Sequence, residues 1–411
     1  MRFAILIDQL RYVGGPFKIA IEEVKSLSKL GEDATLVVLK RTESTAFPES
    51  LQGIRTIYLS DSMPRILRFS FRFPVFRFFS LFHLSYALLF QFLPLRERFD
   101  GIIAHGTYTC FSAIAIAKKR AIPVIAYVWD PITYILRTVY FKTNDRGPAR
   151  RFALSIGAFL DKWICRNSSK VLVGSGRHKA TLDRLTYDRE KVTVLFPGVQ
   201  VRDHSEAQRG DFAILATAWR LGKDPDYVLD LASRVHKARF LMAGIWLDGS
   251  LRSSFIKRVS ELNLQDRVEI TGALSEEKLL ELYSRALVFL QIHADVGFGL
   301  PALEAAAQGC TFVIPEGQGV CDVLSGPGAG YFVPEKQTDV IVNILTSLFD
   351  NPSSAIKMGE LAREQAMEFS SDRHAERLRD IVGPIKSDTA LGNPRRPVKE
   401  GLFEAMKGSA Q

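Results

Sequence analysis

The sequence predicts an α/β chain of two doubly wound parallel-sheet domains facing each other across a cleft. Three observations carry that prediction. Short, continuously apolar runs alternate with stretches of helical periodicity along most of the chain, the βαβ rhythm of a parallel sheet. At 411 residues the chain is too long for a single core. The rhythm breaks near 198–210, where "GVQVRDHSEAQRGD" is polar and aperiodic.

The elements follow in order. "FAILI" (3–7) reads as a strand, and a helix over about 16–30 ends at Gly31. Strands are expected at "ATLVVL" (34–39), "GIRTIYL" (53–59), "GIIAH" (101–105), "PVIAYVW" (123–129), "KVLVGS" (170–175) and "KVTVLF" (191–196). The second half repeats the logic with "FAILATA" (212–218), "ARFLMAG" (238–244), "RVEITG" (267–272), "ALVFLQI" (286–292) and "CTFVIP" (310–315). Runs this apolar belong to strands buried on both faces. Residues 354–385 read as helical, and 386–411 as a flexible basic tail. In open parallel sheets, ligands bind beyond the carboxyl ends of the strands, so two facing sheets make a deep binding cleft.

Composition narrows the class. Apolar residues at 47% and charged residues at 24% suit a globular chain. Cys110, Cys165, Cys310 and Cys321 lie far apart with no CxxC pair, which argues against a zinc site or a disulfide framework and fits a reducing compartment. Met1 leads directly into a strand, so no secretory leader is expected. The net charge of +9 is uneven: residues 1–200 hold 30 Lys/Arg against 16 Asp/Glu, and residues 201–411 hold 24 against 29. A basic first half suits nucleic acid, an anionic membrane or a phosphorylated substrate. No nucleic-acid-binding motif accompanies it, so nucleic acid is not an expected partner.

Residues 63–95 hold a distinctive part of that charge. "FFSLFHLSYALLFQFLPL" (78–95) has no formal charge and is long enough to be weighed as a membrane span. A single crossing would put the first three strands and "GIIAH" on opposite sides of a bilayer, although they belong to one sheet. Ten of the 28 Phe lie within 69–99, interleaved with Arg65, Arg68, Arg72 and Arg77. That mixture suits an interfacial helix, with Phe in the acyl boundary and Arg on anionic headgroups. The other reading is a core helix with a solvated Arg edge. The expected location is cytoplasmic, peripheral at the inner face of the cell membrane.

Four stretches bear chemistry. In "YVGGPFKIAIEEVKSLSKLGEDATLVV", Gly14 and Gly15 let the backbone approach a ligand and expose N–H groups at a helix start. "FDGIIAHGTYTCFSAIAIAKKRAIPVIAYVWD" puts His105 at one strand end and Trp129–Asp130 at the next. "AILATAWRLGKDPDYVLDLA" supplies Arg220 and Lys223, a guanidinium fork and a point charge suited to two phosphates. "GFGLPALEAAAQG" (297–309) runs a glycine turn into a helix that opens with Pro301, with Glu304 read in its first turn. A carboxylate there complements the helix dipole and can hold sugar hydroxyls beside a bound phosphate.

Taken in this order, with the last extended to the whole of 267–324, "RVEITGALSEEK" through "GQGVCDVL", the four stretches resemble the retaining, two-Rossmann-domain (GT-B) glycosyltransferases of family 4, over roughly 2–385. The resemblance implies an acceptor-binding domain at 1–198, a nucleotide-sugar domain at 208–368, a helix at 369–385 crossing back to the first domain, and a tail at 386–411. It implies that Gly14–Gly15 lies by the donor diphosphate and that His105 hydrogen-bonds the donor sugar or the acceptor hydroxyl. Trp129 and Asp130 would then belong to the acceptor pocket, and Arg220 and Lys223 would grip the diphosphate. Gly272, Ala273 and Leu274 would bracket the base, Gly297, Phe298, Gly299 and Leu300 would offer backbone N–H groups, and Glu304 would hold the ribose. The family's Glu-x7-Glu motif has Val296 where its first Glu stands; Asp295 and His293 are nearby polar candidates for the sugar. The implied reaction uses a UDP- or GDP-sugar, retains anomeric configuration and needs no metal or other cofactor. The implied acceptor is a glycan, lipid-linked or membrane-associated. A non-catalytic scaffold of the same fold, which Val296 alone supports, and a two-Rossmann sugar-nucleotide epimerase are the other readings.

Overall fold

The computed structural model describes residues 1–390 except 11–13, 43–44, 46–47, 63–96, 142–146, 187, 203–208 and 294–296. The interfacial stretch expected at 63–95, Asp295 and Val296, and the tail from 391 onward lie outside the described residues.

The first sheet has seven parallel strands: β1 (Arg2–Ile7), β2 (Asp33–Val38), β3 (Thr56–Tyr58), β4 (Gly101–His105), β5 (Val124–Val128), β6 (Lys170–Val173) and β7 (Val192–Val194), in the order β3-β2-β1-β4-β5-β6-β7. The second has six: β8 (Phe212–Ala216), β9 (Arg239–Ala243), β10 (Val268–Gly272), β11 (Val288–Leu290), β12 (Thr311–Pro315) and β13 (Gly330–Val333), in the order β10-β9-β8-β11-β12-β13. Both orders reverse once, at β1/β4 and at β8/β11, which are the topological switch points where open sheets bind ligands. Strand β13 is the one the apolar pattern did not announce.

Alternation along the strands divides each core in two. Ala4 and Leu6 pack on one face of the first sheet, while Phe3, Ile5 and Ile7 pack on the other. In the second sheet Ala213 and Leu215 face one layer, and Phe212 and Ile214 the opposite one. The helix Gly15–Lys29 opens with Pro16 after the Gly-Gly loop and turns out at Gly31, whose φ of 82° favours glycine. It lays Ile19, Ala20, Val24 and Leu27 on the first sheet.

The stretch expected to be helical at 354–385 holds two helices, Pro352–Met367 and Ser371–Ala390; the second, expected at 369–385, runs on through 386–390, where the tail was expected to begin. Between them the chain pairs with the inter-domain segment: Val199 N–H donates to Phe369 O (2.9 Å) and Ser371 N–H to Val199 O (3.0 Å). The last helix then lies on the first domain, burying Ala375, Leu378 and Val382 in its core. A Cβ on Gly198 would fall 2.8 Å from His374 Cβ, so this crossing needs a residue without one.

Candidate active site

The two switch points face each other. From the first domain come the loop after β1, His105 closing β4, Trp129–Asp130 after β5, and the helix Gly176–Asp183. From the second come Arg220–Lys223 after β8, Gly272–Leu274 after β10, His293 after β11, and the turn into the helix Leu300–Ala307. The chain is close across this cleft. A Cβ on Gly15 would lie 3.5 Å from Leu300 Cδ2, and one on Gly297 would lie 3.9 Å from Asp130 Oδ1. Gly176 N–H donates to Asp322 Oδ2 (2.8 Å), and the Arg177 guanidinium donates to Gly317 O.

The helix Leu300–Ala307 starts at Leu300, so Glu304 stands one turn in and not in the first turn. Gly299, at φ 90°, makes the entry; a Cβ there would approach Gln318 Oε1 and Val320 to 3.0 Å. Phe298 is buried beside it. Glu304 is buried and meets a cation that the sequence reading did not find: Lys18 Nζ, from the first helix of the opposite domain, lies 2.5 Å from Glu304 Oε1 and 2.8 Å from Glu276 Oε1. Ser50 Oγ donates to Glu276 Oε2 (3.3 Å). Burial works against the Lys18 ammonium, but the two carboxylates outweigh it and hold its proton well above the usual lysine range. Burial, reinforced by Glu276, raises the Glu304 carboxyl, and Lys18 offsets this only in part. One ammonium thus faces two carboxylates at the mouth of the helix.

Arg220 is exposed at the cleft and caps a short turn, Leu221–Lys223. Lys223 is buried, and its Nζ donates to His293 Nε2 (2.7 Å). Arg220 and Lys223 therefore stand in different settings, and His293 is held by Lys223. Gln291 Nε2 donates to His293 O (2.9 Å) and Gln318 Oε1 (2.8 Å), fixing the loops after β11 and β12 from beneath. Gly272, at φ 72°, turns the chain out of β10; Ala273 is exposed and Leu274 half-buried.

His105 and Trp129 differ from expectation. Both reach the predicted strand ends, but His105 is buried with both ring nitrogens engaged, and Trp129 is packed inside. His105 Nε2 meets Glu23 Oε2 at 2.7 Å, and Trp129 Nε1–H donates to His105 Nδ1 (3.3 Å). An indole only donates, so Nδ1 accepts and Nε2 carries the proton given to Glu23. Trp129 also stacks on Tyr127, with centroids 4.3 Å apart. Glu23 Oε1 meets His374 Nε2 at 2.8 Å, while His374 Nδ1 donates to Phe196 O (2.7 Å). Both nitrogens of His374 face acceptors, so the ring ties Glu23 to the inter-domain segment. Burial pushes the Glu23 carboxyl up, but His105 and His374 together outweigh it and pull it down to about 2. His105 is therefore part of a joint between the last helix and the first domain. Asp130, two-fifths exposed, remains at the cleft edge.

Among the described residues no group of three or more His, Cys, Asp or Glu is placed to hold a metal ion, and no helix is long and apolar enough to cross a membrane.

Comparison with known proteins gives this geometry a family. Residues 13–203 match Glycosyltransferase Family 4, and residues 201–365 match Glycosyl transferases group 1. The Schizosaccharomyces pombe phosphatidylinositol N-acetylglucosaminyltransferase gpi3 subunit is 23% identical over 322 residues, 75% of this chain and 66% of that protein. The Mycolicibacterium smegmatis D-inositol 3-phosphate glycosyltransferase is 26% identical over 223 residues, 51% of each chain. The matches thus span less than two thirds of these relatives' own lengths. Among solved structures, Anabaena HepE in complex with UDP and glucose superposes with a TM-score of 0.71 at 14% identity, over 93% of this chain and all of that one. Sucrose-phosphate synthase from Thermosynechococcus elongatus gives 0.71 at 17% identity, over 94% and 99%. With two adjoining family matches running from residue 13 to residue 365 over a fold of two facing parallel-sheet domains, the chain belongs to the GT-B glycosyltransferases of family 4/group 1.

Proposed function

We propose that the protein transfers a hexose-type sugar from a nucleotide-sugar donor to a glycan acceptor, lipid-linked or membrane-associated, with retention and without a metal, at the cytoplasmic face of a membrane. The observation that carries the donor part is Glu304. It is a buried carboxylate one turn inside a glycine-entered helix at the switch point of the second sheet, and Lys18 from the facing domain neutralises it only in part. A carboxylate at such a helix entrance suits a ribose diol, while the Gly297–Leu300 backbone and the helix N-terminus suit the adjoining phosphate. A UDP-sugar is the donor class favoured by a structural neighbour solved with UDP-glucose.

Each residue then has a task. Glu304 orients the ribose, displacing Lys18 towards Glu276. Arg220 and Lys223 neutralise charge that grows on the departing diphosphate, so they bind the transition state more strongly than the ground state. Gly14–Gly15 lets the first domain close on the diphosphate. Asp130, at the cleft edge opposite Gly297, orients the acceptor hydroxyl. A leaving phosphate that takes the acceptor proton on the same face needs positioning and electrostatics more than a strong base. That fits a site where the expected histidine, His105, is committed to Glu23.

The test is a thermal-shift panel of UDP-, GDP- and ADP-sugars, with release of nucleoside diphosphate as the activity readout. One donor should stabilise the protein and be turned over. A donor bound without turnover in the presence of lipid-linked acceptors would favour the non-catalytic scaffold. Sugar interconversion without an acceptor would point to an epimerase.

A further inference from the structure

We infer that the outer face of the helix Pro148–Asn167, with the neighbouring segment Leu136–Tyr140, is a docking surface for an anionic lipid bilayer. The inference deepens the membrane part of the reading above and rests on it, but it draws on residues distant in sequence from 63–95.

The helix has two unlike faces. Gly157, Asp161, Ile164 and Cys165 are buried. On the other side Phe152, Ile156 and Phe159, spaced i, i+4, i+7, form one stripe that is 69%, 42% and 59% exposed. Tyr140 and Val139, on the segment packed against this helix, are also exposed. The platform is firmly held. Gly157 allows close packing, since a Cβ there would lie 2.7 Å from Leu136 Cδ1. The Asp161 carboxylate accepts from the backbone N–H of Ile132 (2.9 Å) and Thr133 (2.8 Å). Aromatic side chains held in water on a rigid helix mark an interaction face.

Charge selects the occupant. Residues 131–167 contain seven Lys/Arg and two Asp/Glu, and one of those acids, Asp161, is spent as the internal cap. Arg137, Arg151 and Arg166 are exposed. A second copy docking about a two-fold axis would set this cationic face against itself. The Arg-rich stretch 63–95 would do the same. An anionic bilayer accepts both features: Phe and Ile enter the acyl boundary and the guanidinium groups meet the headgroups. The placement is also consistent with a membrane acceptor, because the chain runs from Asp130 at the cleft edge through Pro131 directly into this segment.

The experiment is co-sedimentation of the full chain with vesicles of phosphatidylcholine alone or mixed with phosphatidylglycerol. The variants are Arg151→Ala, Arg166→Ala and the double Phe152→Ser/Phe159→Ser, with sedimentation velocity and the donor thermal shift run on every protein. Expected is binding to the anionic vesicles only, weakened by salt. Each Arg variant should lose about fivefold in partition, the equivalent of about 1 kcal/mol per cation near the surface. The double Phe variant should lose about tenfold or more while keeping its donor shift. Undiminished binding by all variants would overturn the surface while leaving a membrane role to another segment. No vesicle binding by the wild type would overturn both, with the donor shift still reporting separately on the transferase reading. A wild-type dimer dissociated by the Phe substitutions would assign the face to a second copy and overturn the inference. If the double Phe variant does not fold, the Arg variants decide alone.

Discussion

Two buried glutamates divide the labour of this molecule. Glu23 and Glu304 both sit on helices, both meet basic side chains from distant parts of the chain, and both are almost wholly removed from water. Glu23 has one oxygen on His105 and the other on His374, and the pair overcomes burial and pulls its carboxyl down. Glu304 shares one lysine with Glu276, and its carboxyl is raised. A carboxylate whose hydrogen bonds are complete is a joint. One whose neutralisation is shared has capacity left for a ligand. The contrast separates scaffold from site more clearly than residue type does, since the histidine expected at the sugar belongs to the joint.

The contrast breaks most visibly at Glu23. Glu23→Gln removes the buried carboxylate that both His105 and His374 meet, and breaking a buried interaction of this kind costs about 3–5 kcal/mol. Thermal denaturation should show that loss, while the folded fraction keeps its donor shift. The pH dependence has a definite sign. Because the Glu23 carboxyl is depressed, its contribution is present above the ordinary carboxylate range and is lost as pH falls from about 4.5 towards about 2. Wild type should lose stability through that window, and Glu23→Gln should lose less.

Glu304→Gln should do the reverse. Its raised carboxyl contributes stability that is present below the ordinary carboxylate range and lost as pH rises. Removing the charge should therefore leave stability at neutral pH within about 1 kcal/mol of wild type, with the amide oxygen still able to accept from Lys18. The donor shift, about 2.7 kcal/mol at a hundredfold excess over Kd, should disappear. A variant that keeps the shift would remove Glu304 from the ribose.

A third substitution pair separates ligand from structure within the expected diphosphate grip. Arg220 is exposed, so Arg220→Ala should leave stability unchanged and weaken nucleoside diphosphate binding by about 1.5–3 kcal/mol, the range for a hydrogen bond to a charged group. Lys223→Met removes a buried donor from His293, so it should lower both binding and melting temperature. Calorimetry with the nucleoside diphosphate alone checks both. Equal effects on binding and stability for the two variants would deny the division.

What the sequence made legible was what is local along the chain. Strands buried on both faces are continuous apolar runs, and twelve of the thirteen stand close to where those runs predict them. The exception, Gly330–Val333, is four residues long, follows Gly and Pro, and has no flanking apolar run. The glycine turn and the helix bearing Glu304 were visible because they are contiguous. Their partners were not. Lys18 lies 286 residues from Glu304, and Glu23 lies 351 from His374; no spacing rule reaches that far. Glu22 and Glu23 are both buried on the helix that the last helix packs against when it crosses back. His105 was placed correctly along the chain, but its environment was not, because Glu23 and Trp129 fix the ring from two other elements.

Asp8 gives the comparison a third and smallest measure. It follows β1, just before the Gly-Gly loop, where burial raises its carboxyl to about 6 against weaker help from the Gln9 N–H and the charge of Lys40. Its shift differs from that of Glu23 and Glu304 in that burial outweighs the Gln9 N–H and Lys40 and decides its titration. A raised carboxyl favours folding only while protonated, and that benefit is lost as pH rises from about 4 to about 6. Asp8→Asn should therefore match wild type near pH 4, gain on it through that window, and hold a constant advantage of about 1–2 kcal/mol above it, the side chain being only partly withdrawn from water. Melting curves of the two proteins across that range settle the matter. An advantage independent of pH would mean that Asp8 is ionised throughout, with its cation supplied by the loop at 11–13 or by Lys40. The loop after β1 would then hold an ion pair where this structure places a half-buried acid.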